Sequence, residues 1–198
     1  MPDYYLLERS VAATGYQYIE LDNDPSQLPA QKCPSCGEEL CLTADGPDAI
    51  YRISGRGVCG DLLTDGISIL FSHRVRELLT TNPFRGVTLR NTPVQIIGAD
   101  DLYYFVEVTA VTALLDEDAS GVEIDKLTGC SACRVMSMKK IEKVVFQEKT
   151  LPDQEIFCCG NLFSEIVVRR TFVEFVSDKS LTNFRFISSE DFRYDYRN

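Results

Sequence analysis

The sequence predicts an α+β fold made of two similar halves, and three features carry that expectation. Short β-rich runs dominate the chain, two helix-like stretches interrupt them, and the same order of parts occurs twice, about a hundred positions apart. Strands are expected at Tyr4 to Leu7, Gln17 to Leu21, Ala49 to Ile53 and Ile67 to Phe71. Further strands are expected at Val87 to Leu89, Val94 to Ile97, Tyr103 to Val111, Val144 to Phe146 and Ile166 to Val168. Ser72 can cap a helix running to about Thr81, with Val75, Leu78 and Leu79 on one face. Thr171-Phe172-Val173-Glu174 fits a capping box for a second helix, although Phe172, Val173, Phe175 and Val176 are poor helix formers that read equally well as a strand.

The repeat favours the helix. Ile69 to Arg90 can be laid on Ile166 to Ile187 without a gap, aligning Leu70 with Val167, Val75 with Phe172, Leu78 with Phe175 and Leu89 with Phe186. Upstream, Val58-Cys59-Gly60-Asp61-Leu62 matches Cys158-Cys159-Gly160-Asn161-Leu162, and Tyr4 to Glu8 matches Tyr103 to Glu107. The expected organisation is therefore an internal duplication, residues 1–95 and 96–198, packed as one unit. Each pseudo-symmetric half would be an antiparallel sheet with one main helix and one Cys-x-x-Cys knuckle.

With 198 residues, 44% apolar and 25% charged, the chain can bury a real core and is not globally disordered. No apolar run approaches the length of a membrane span, and the first ten residues lack the basic and apolar regions of an export signal, so a cytoplasmic location is expected. The net charge of −10 disfavours a polyanionic partner and favours a basic one. The only histidine, His73, stands beside a helix start with no partnered nucleophile or base in any motif, so catalysis is not expected.

Eight cysteines without an export signal call for something other than a disulfide framework. Four of them form two Cys-x-x-Cys pairs, Cys33 with Cys36 and Cys130 with Cys133, the spacing at which a tight turn points two thiolates at one tetrahedral zinc. Gly37 follows the first pair, where a knuckle commonly needs positive φ, and Arg134 holds that place in the second. Either all four thiols share one structural zinc, the preferred arrangement, or two separate sites each recruit Cys59 or Cys159. Cys41, Cys158 and one or both of Cys59 and Cys159 otherwise read as small buried hydrophobes. Glu38 and Glu39 after Cys36 would raise a thiol pKa, which argues against redox catalysis.

Between Arg90 and Lys126 there is no Lys or Arg, while Asp100, Asp101, Asp116, Glu117 and Asp118 accumulate with other carboxylates. Such a stretch could steer a basic partner, and these five residues are the candidate partner-binding positions, against a plain solvated surface as the alternative.

The early Cys33-Pro-Ser-Cys36-Gly37, the second pair near position 130 and the acidic balance resemble the double-CXXCG-motif immunity proteins of myxobacterial contact-dependent and related polymorphic toxin systems. The resemblance implies a cytosolic antidote that binds a cognate toxin and blocks it, without catalysis, and the internal symmetry makes a monomer sufficient while leaving a homodimer open. Two other classes stand beside it. A zinc-ribbon nucleic-acid or transcription accessory module would need a basic stripe, for which Lys139-Lys140-Ile141-Glu142-Lys143 and Arg169-Arg170 are the nearest candidates. An enzyme with a cysteine nucleophile would need a thiolate beside a base, and only Cys133-Arg134 hints at one.

Overall fold

The computed structural model describes residues 3–8, 16–22, 30–32, 35, 37, 39–42, 49–66, 68–108, 113–124 and 138–195. Short strands and two helices fill them, an α+β arrangement. Two four-stranded antiparallel sheets form its centre. The first contains β6 (Leu62–Thr64), β7 (Ile69–Ser72), β10 (Tyr103–Val108) and β8 (Val87–Leu89), in that spatial order. The second contains β13 (Ile156–Cys159), β14 (Leu162–Arg169), β1 (Tyr4–Leu7) and β15 (Phe186–Ser188).

The two sheets agree in register as well as in order. Tyr103 lies opposite Ser72 and Tyr104 opposite Phe71, as Tyr4 lies opposite Arg169 and Tyr5 opposite Val168. On the other side of the same strands, Val106 faces Leu89 and Leu7 faces Phe186. The strand at the very start of the chain therefore completes the sheet made by residues 156–188, while β10 completes the sheet made by residues 62–89.

Each sheet is followed by its helix. In α1 (His73–Thr81), Ser72 Oγ caps the first turn by accepting from the Val75 amide, and Asn82 closes the last, as the sequence predicts. The second, α2 (Arg170–Asp178), forms despite its aromatic and β-branched content because Phe172, Phe175 and Val176 are buried on one face. The capping box expected at Thr171 is absent. Arg169 is the N-cap, and its guanidinium is drawn instead to the Pro152 and Gln154 carbonyls at 2.9 and 3.0 Å.

Alternation along the strands sets out the layers. In β7, Ile69 and Phe71 join a central core with Val75, Phe172 and Phe175, whereas Leu70 joins an outer core with Ile19, Tyr51 and Phe105. In β14, Ile166 and Val168 enter the central core, and Val167 enters the other outer core with Leu6, Leu115 and Phe157. The central core thus lies between the two sheets, together with both helix stripes. A smaller sheet covers each outer face: β2 (Tyr18–Leu21), β5 (Ile50–Ser54) and β9 (Gln95–Ile97) on the first, and β11 (Glu123–Ile124), β12 (Met138–Ile141) and β16 (Tyr194–Asp195) on the second. A hairpin, β3 (Ala30–Lys32) with β4 (Glu39–Leu42), carries the Cys33 to Cys36 motif in its link.

Other expectations are corrected. The halves are not purely antiparallel, since β5 and β9 run parallel. Val144 to Phe146 forms no ladder; Phe146 makes one bridge to Leu115, and a short 3-10 turn at Glu148–Thr150 follows. The strand expected at Tyr103 to Val111 is present over Tyr103–Val108, and its remaining positions, 109–111, lie outside the described residues.

The sheets are pinned to each other by two loops in corresponding places. The loop before β8 docks on β13, with Arg85 holding Asp153 and Glu155 at 2.6 and 3.0 Å. The loop before β15 docks on β6, with Asn183 Nδ2 donating to the Leu62 carbonyl at 2.6 Å. Hydrogen bonds from Arg85 hold the Glu155 carboxyl below the usual carboxylate range. A carboxyl depressed on folding stabilises above its unfolded pKa, and the contribution disappears as pH falls through the folded value. Urea midpoints are therefore expected to decline below about pH 4, with Glu155 accounting for no more than about 1 kcal/mol. Glu155→Gln should flatten that decline, and an unchanged slope would remove the Arg85 cluster from the explanation.

Candidate functional site

A cleft of about 610 Å³ opens beside the Cys59-Gly60-Asp61 turn, between the start of β10 and the start of β6. Its floor is the cross-strand pair Tyr103 and Ser72. Tyr103 is fixed by its hydroxyl, which donates to the Gly60 carbonyl at 2.8 Å. Asp61 is buried and gathers the surrounding donors: Ser72 Oγ at 2.9 Å, an Arg74 guanidinium nitrogen at 3.1 Å, and the Thr182 amide and hydroxyl at 2.9 and 3.0 Å. Asp100 and Asp101 stand exposed on the rim, Asp101 Oδ1 accepting from the Leu102 amide at 2.7 Å. Val58, 63% exposed, lines the cleft with them.

The thiol at the cleft is not activated. Cys59 Sγ donates to Gln17 Oε1 at 3.1 Å, and burial raises its pKa, with the Asp100 and Asp101 charges acting the same way against a lowering hydrogen bond from Tyr103. Cys159, in the corresponding turn, is buried, lies 3.3 Å from Asn161 Oδ1, and is raised chiefly by burial. Neither has the depressed pKa of a nucleophilic thiolate.

Cys33, Cys36, Cys130 and Cys133 lie outside the described residues. Their surroundings are partly described: Gly37 adopts φ +76°, as expected after a knuckle's second thiol, and the second pair falls in the connection from β11 to β12. Among the described residues, no group of three or more His, Cys, Asp and Glu could hold a metal ion.

The acidic stretch divides in two. Asp100 and Asp101 belong to the cleft, whereas Asp116, Glu117 and Asp118 form a turn in which Asp116 Oδ1 accepts from the Ala119 amide and Glu117 Oε1 from Asn161 Nδ2. His73 begins α1, with Nδ1 3.3 Å from the Tyr104 hydroxyl and Nε2 3.4 Å from Glu77. Three residues of the short basic runs are engaged within the chain: Lys140 pairs with Glu142, Arg169 with two carbonyls, and Arg170 with Asp3. Asp61 and Tyr103 are the site residues that sequence reasoning did not single out. The recurrent Cys-Gly-Asp/Asn-Leu was the available signal, but it directed attention to Cys59 rather than to its acidic neighbour.

The cleft is thus lined by carboxylates, by the exposed Val58 and by a thiol whose pKa is raised. The Immunity protein family (Imm11) matches residues 24–191, and the chain belongs to that family. Its function is accordingly of the immunity type, directed against a toxin. A search of curated proteins finds no match. No helix among the described residues is long and apolar enough to cross a membrane.

Proposed function

We propose that this chain neutralises a cognate toxin by stoichiometric binding rather than by catalysis, and that the toxin is basic. Family membership carries the reading, and the charge of −10, with both acidic turns at the surface, supports the sign of the partner. Asp100, Asp101, Asp116, Glu117 and Asp118 are the proposed partner-facing carboxylates, in a cytoplasmic monomer or homodimer of the double-CXXCG type. The chain is an internal duplication, residues 1–95 and 96–198, whose halves exchange their β1 and β10 strands. The matching order and registers of the two sheets support this reading.

A structural zinc held by Cys33, Cys36, Cys130 and Cys133 completes the proposal. The hairpin link and the positive φ of Gly37 suit a knuckle at the first pair. Zinc would supply tetrahedral cross-linking only. The first pair lies between the strands of the separate β3–β4 hairpin and the second between β11 and β12 of the small sheet over the second four-stranded sheet, so a shared centre would join these two parts of the chain.

Native mass spectrometry of the chain purified from its own host tests both parts. The expected mass is one chain, one zinc and one basic protein, with zinc lost entirely from either Cys33→Ser or Cys130→Ser. Two zincs, with one lost per variant, would replace the shared site by two separate ones. A metal-free chain with no protein partner would overturn both the zinc and the binding reading.

A further inference from the structure

Each four-stranded sheet is completed by a strand from the other part of the chain. β6, β7 and β8 precede residue 98, yet β10, which follows it, lies between β7 and β8. β13, β14 and β15 follow residue 98, yet β1, which precedes it, lies between β14 and β15. Among the described residues, β8 forms a ladder with β10 alone and β15 with β1 alone. Withdrawing β10 would therefore detach β8 from its sheet, and withdrawing β1 would detach β15. Both strands are also gripped on their faces. Leu6 is buried in the second outer core, Leu7 in the central core, and Tyr103 and Phe105 in the first outer core. Backbone bonds continue at the strand ends: the Glu8 amide donates to the Arg185 carbonyl at 3.0 Å, the Ser189 amide to the Tyr4 carbonyl at 3.1 Å, and the His73 amide to the Leu102 carbonyl at 2.7 Å. The chain passes from one part to the other through residues 98–102, of which Gly98, Asp100, Asp101 and Leu102 are exposed.

We propose that β1 and β10 form a reciprocal clasp. Each part of the chain has lodged a strand in the other's sheet, so the two separate only when both sheets unfold. Two bodies packed face to face can part while each keeps its own hydrogen-bonded ladders. Here the ladders themselves run between the parts, and breaking them opens each sheet in its interior. The covalent link at residues 98–102 is then not needed to hold the fold together, because the strands hold what it joins. The clasp follows from strand order and register, and is independent of the zinc and toxin readings.

The test inserts the recognition sequence of a site-specific protease between Asp100 and Asp101, cuts the folded full-length protein and follows the two pieces. They are expected to run as one complex on size exclusion at micromolar concentration and to separate in denaturant. Mixed with isotope-labelled cut protein, they should trade partners at the rate at which the cut complex unfolds in water, within about threefold, that rate being read from the unfolding limb of its denaturant kinetics. Pieces that separate on the column, or that trade partners faster than this, would overturn the clasp. Hydrogen exchange on the uncut parent gives a second reading in case the insertion prevents folding. The most protected amides of β7 and β14 should exchange through one common opening, and Leu6→Ala in β1 should speed both by the same factor. A Leu6→Ala form in which β14 loosens while β7 is unchanged would mean that the sheets open independently, and would also overturn it.

Discussion

Replacing Asp61 by alanine is expected to destabilise the protein by about 3 kcal/mol, a fall of roughly 6–12 °C in melting temperature for a chain of this size. The carboxylate is 7% exposed and accepts hydrogen bonds from Ser72, Arg74 and both donors of Thr182. Alanine would leave the Ser72 hydroxyl, the Thr182 amide and a guanidinium without that partner, and an unmet buried donor costs more than a hydrogen bond contributes on average. Two parts of the fold would loosen together, because Ser72 is the cap of α1 and Thr182 leads into β15. Asp61→Asn should recover about half the loss, since it keeps one acceptor oxygen and gives up only the charge. Asn161 occupies the corresponding turn and makes a similar set of bonds, accepting from the Leu115 amide at 2.6 Å and donating to its carbonyl at 3.1 Å. Thermal and urea melts of the two variants decide it. If Asp61→Ala melts within about 2 °C of the parent, the carboxylate is not what holds this junction.

Much of this junction was written in the sequence, but not its partners. Ser72 and the spacing of Val75, Leu78 and Leu79 were enough to place α1, because a cap and a helical stripe are local properties. The gapless alignment of Ile69 to Arg90 on Ile166 to Ile187 anticipated that α2 would form where propensity argued for a strand. What a local pattern does not contain is the neighbour. Tyr4 to Leu7 reads as a strand whichever sheet it enters, and its pairing with β14 rather than β7 follows from where the rest of the chain packs. Asp61 lies 121 positions from Thr182, so nothing nearby marks it as the centre of a network. The acidic stretch likewise looked continuous. In the fold it divides between a cleft rim and a turn, and Glu107 within it is neutralised by Arg90 at 2.7 Å.

The other large effect is expected from Gly86→Ala. Gly86 has φ +96°, and a Cβ there would overlap the Ile156 carbonyl oxygen, which is backbone and cannot turn aside. The positive φ alone costs about 1 kcal/mol for an L side chain, and displacing the loop from β13 adds the loss of the Arg85 contacts and of packing around Phe84. Phe84 is set edge-on against Phe172 and Phe175 at 5.2 and 4.9 Å, so a shifted loop opens the central core between the two sheets. A total of about 3–4 kcal/mol is expected, near the top of what a single small substitution does. Gly37→Ala separates strain from collision. Its φ is +76°, but among the described residues nothing lies within 4 Å of the added Cβ, so that variant should lose only about 1 kcal/mol. Comparable losses in both variants would mean that backbone strain, not the docking of the β8 loop on β13, dominates at Gly86. A loss confined to Gly86→Ala, with the near-ultraviolet signal of the phenylalanine cluster weakened, would place the join between the two sheets among the strongest determinants of stability in this immunity protein.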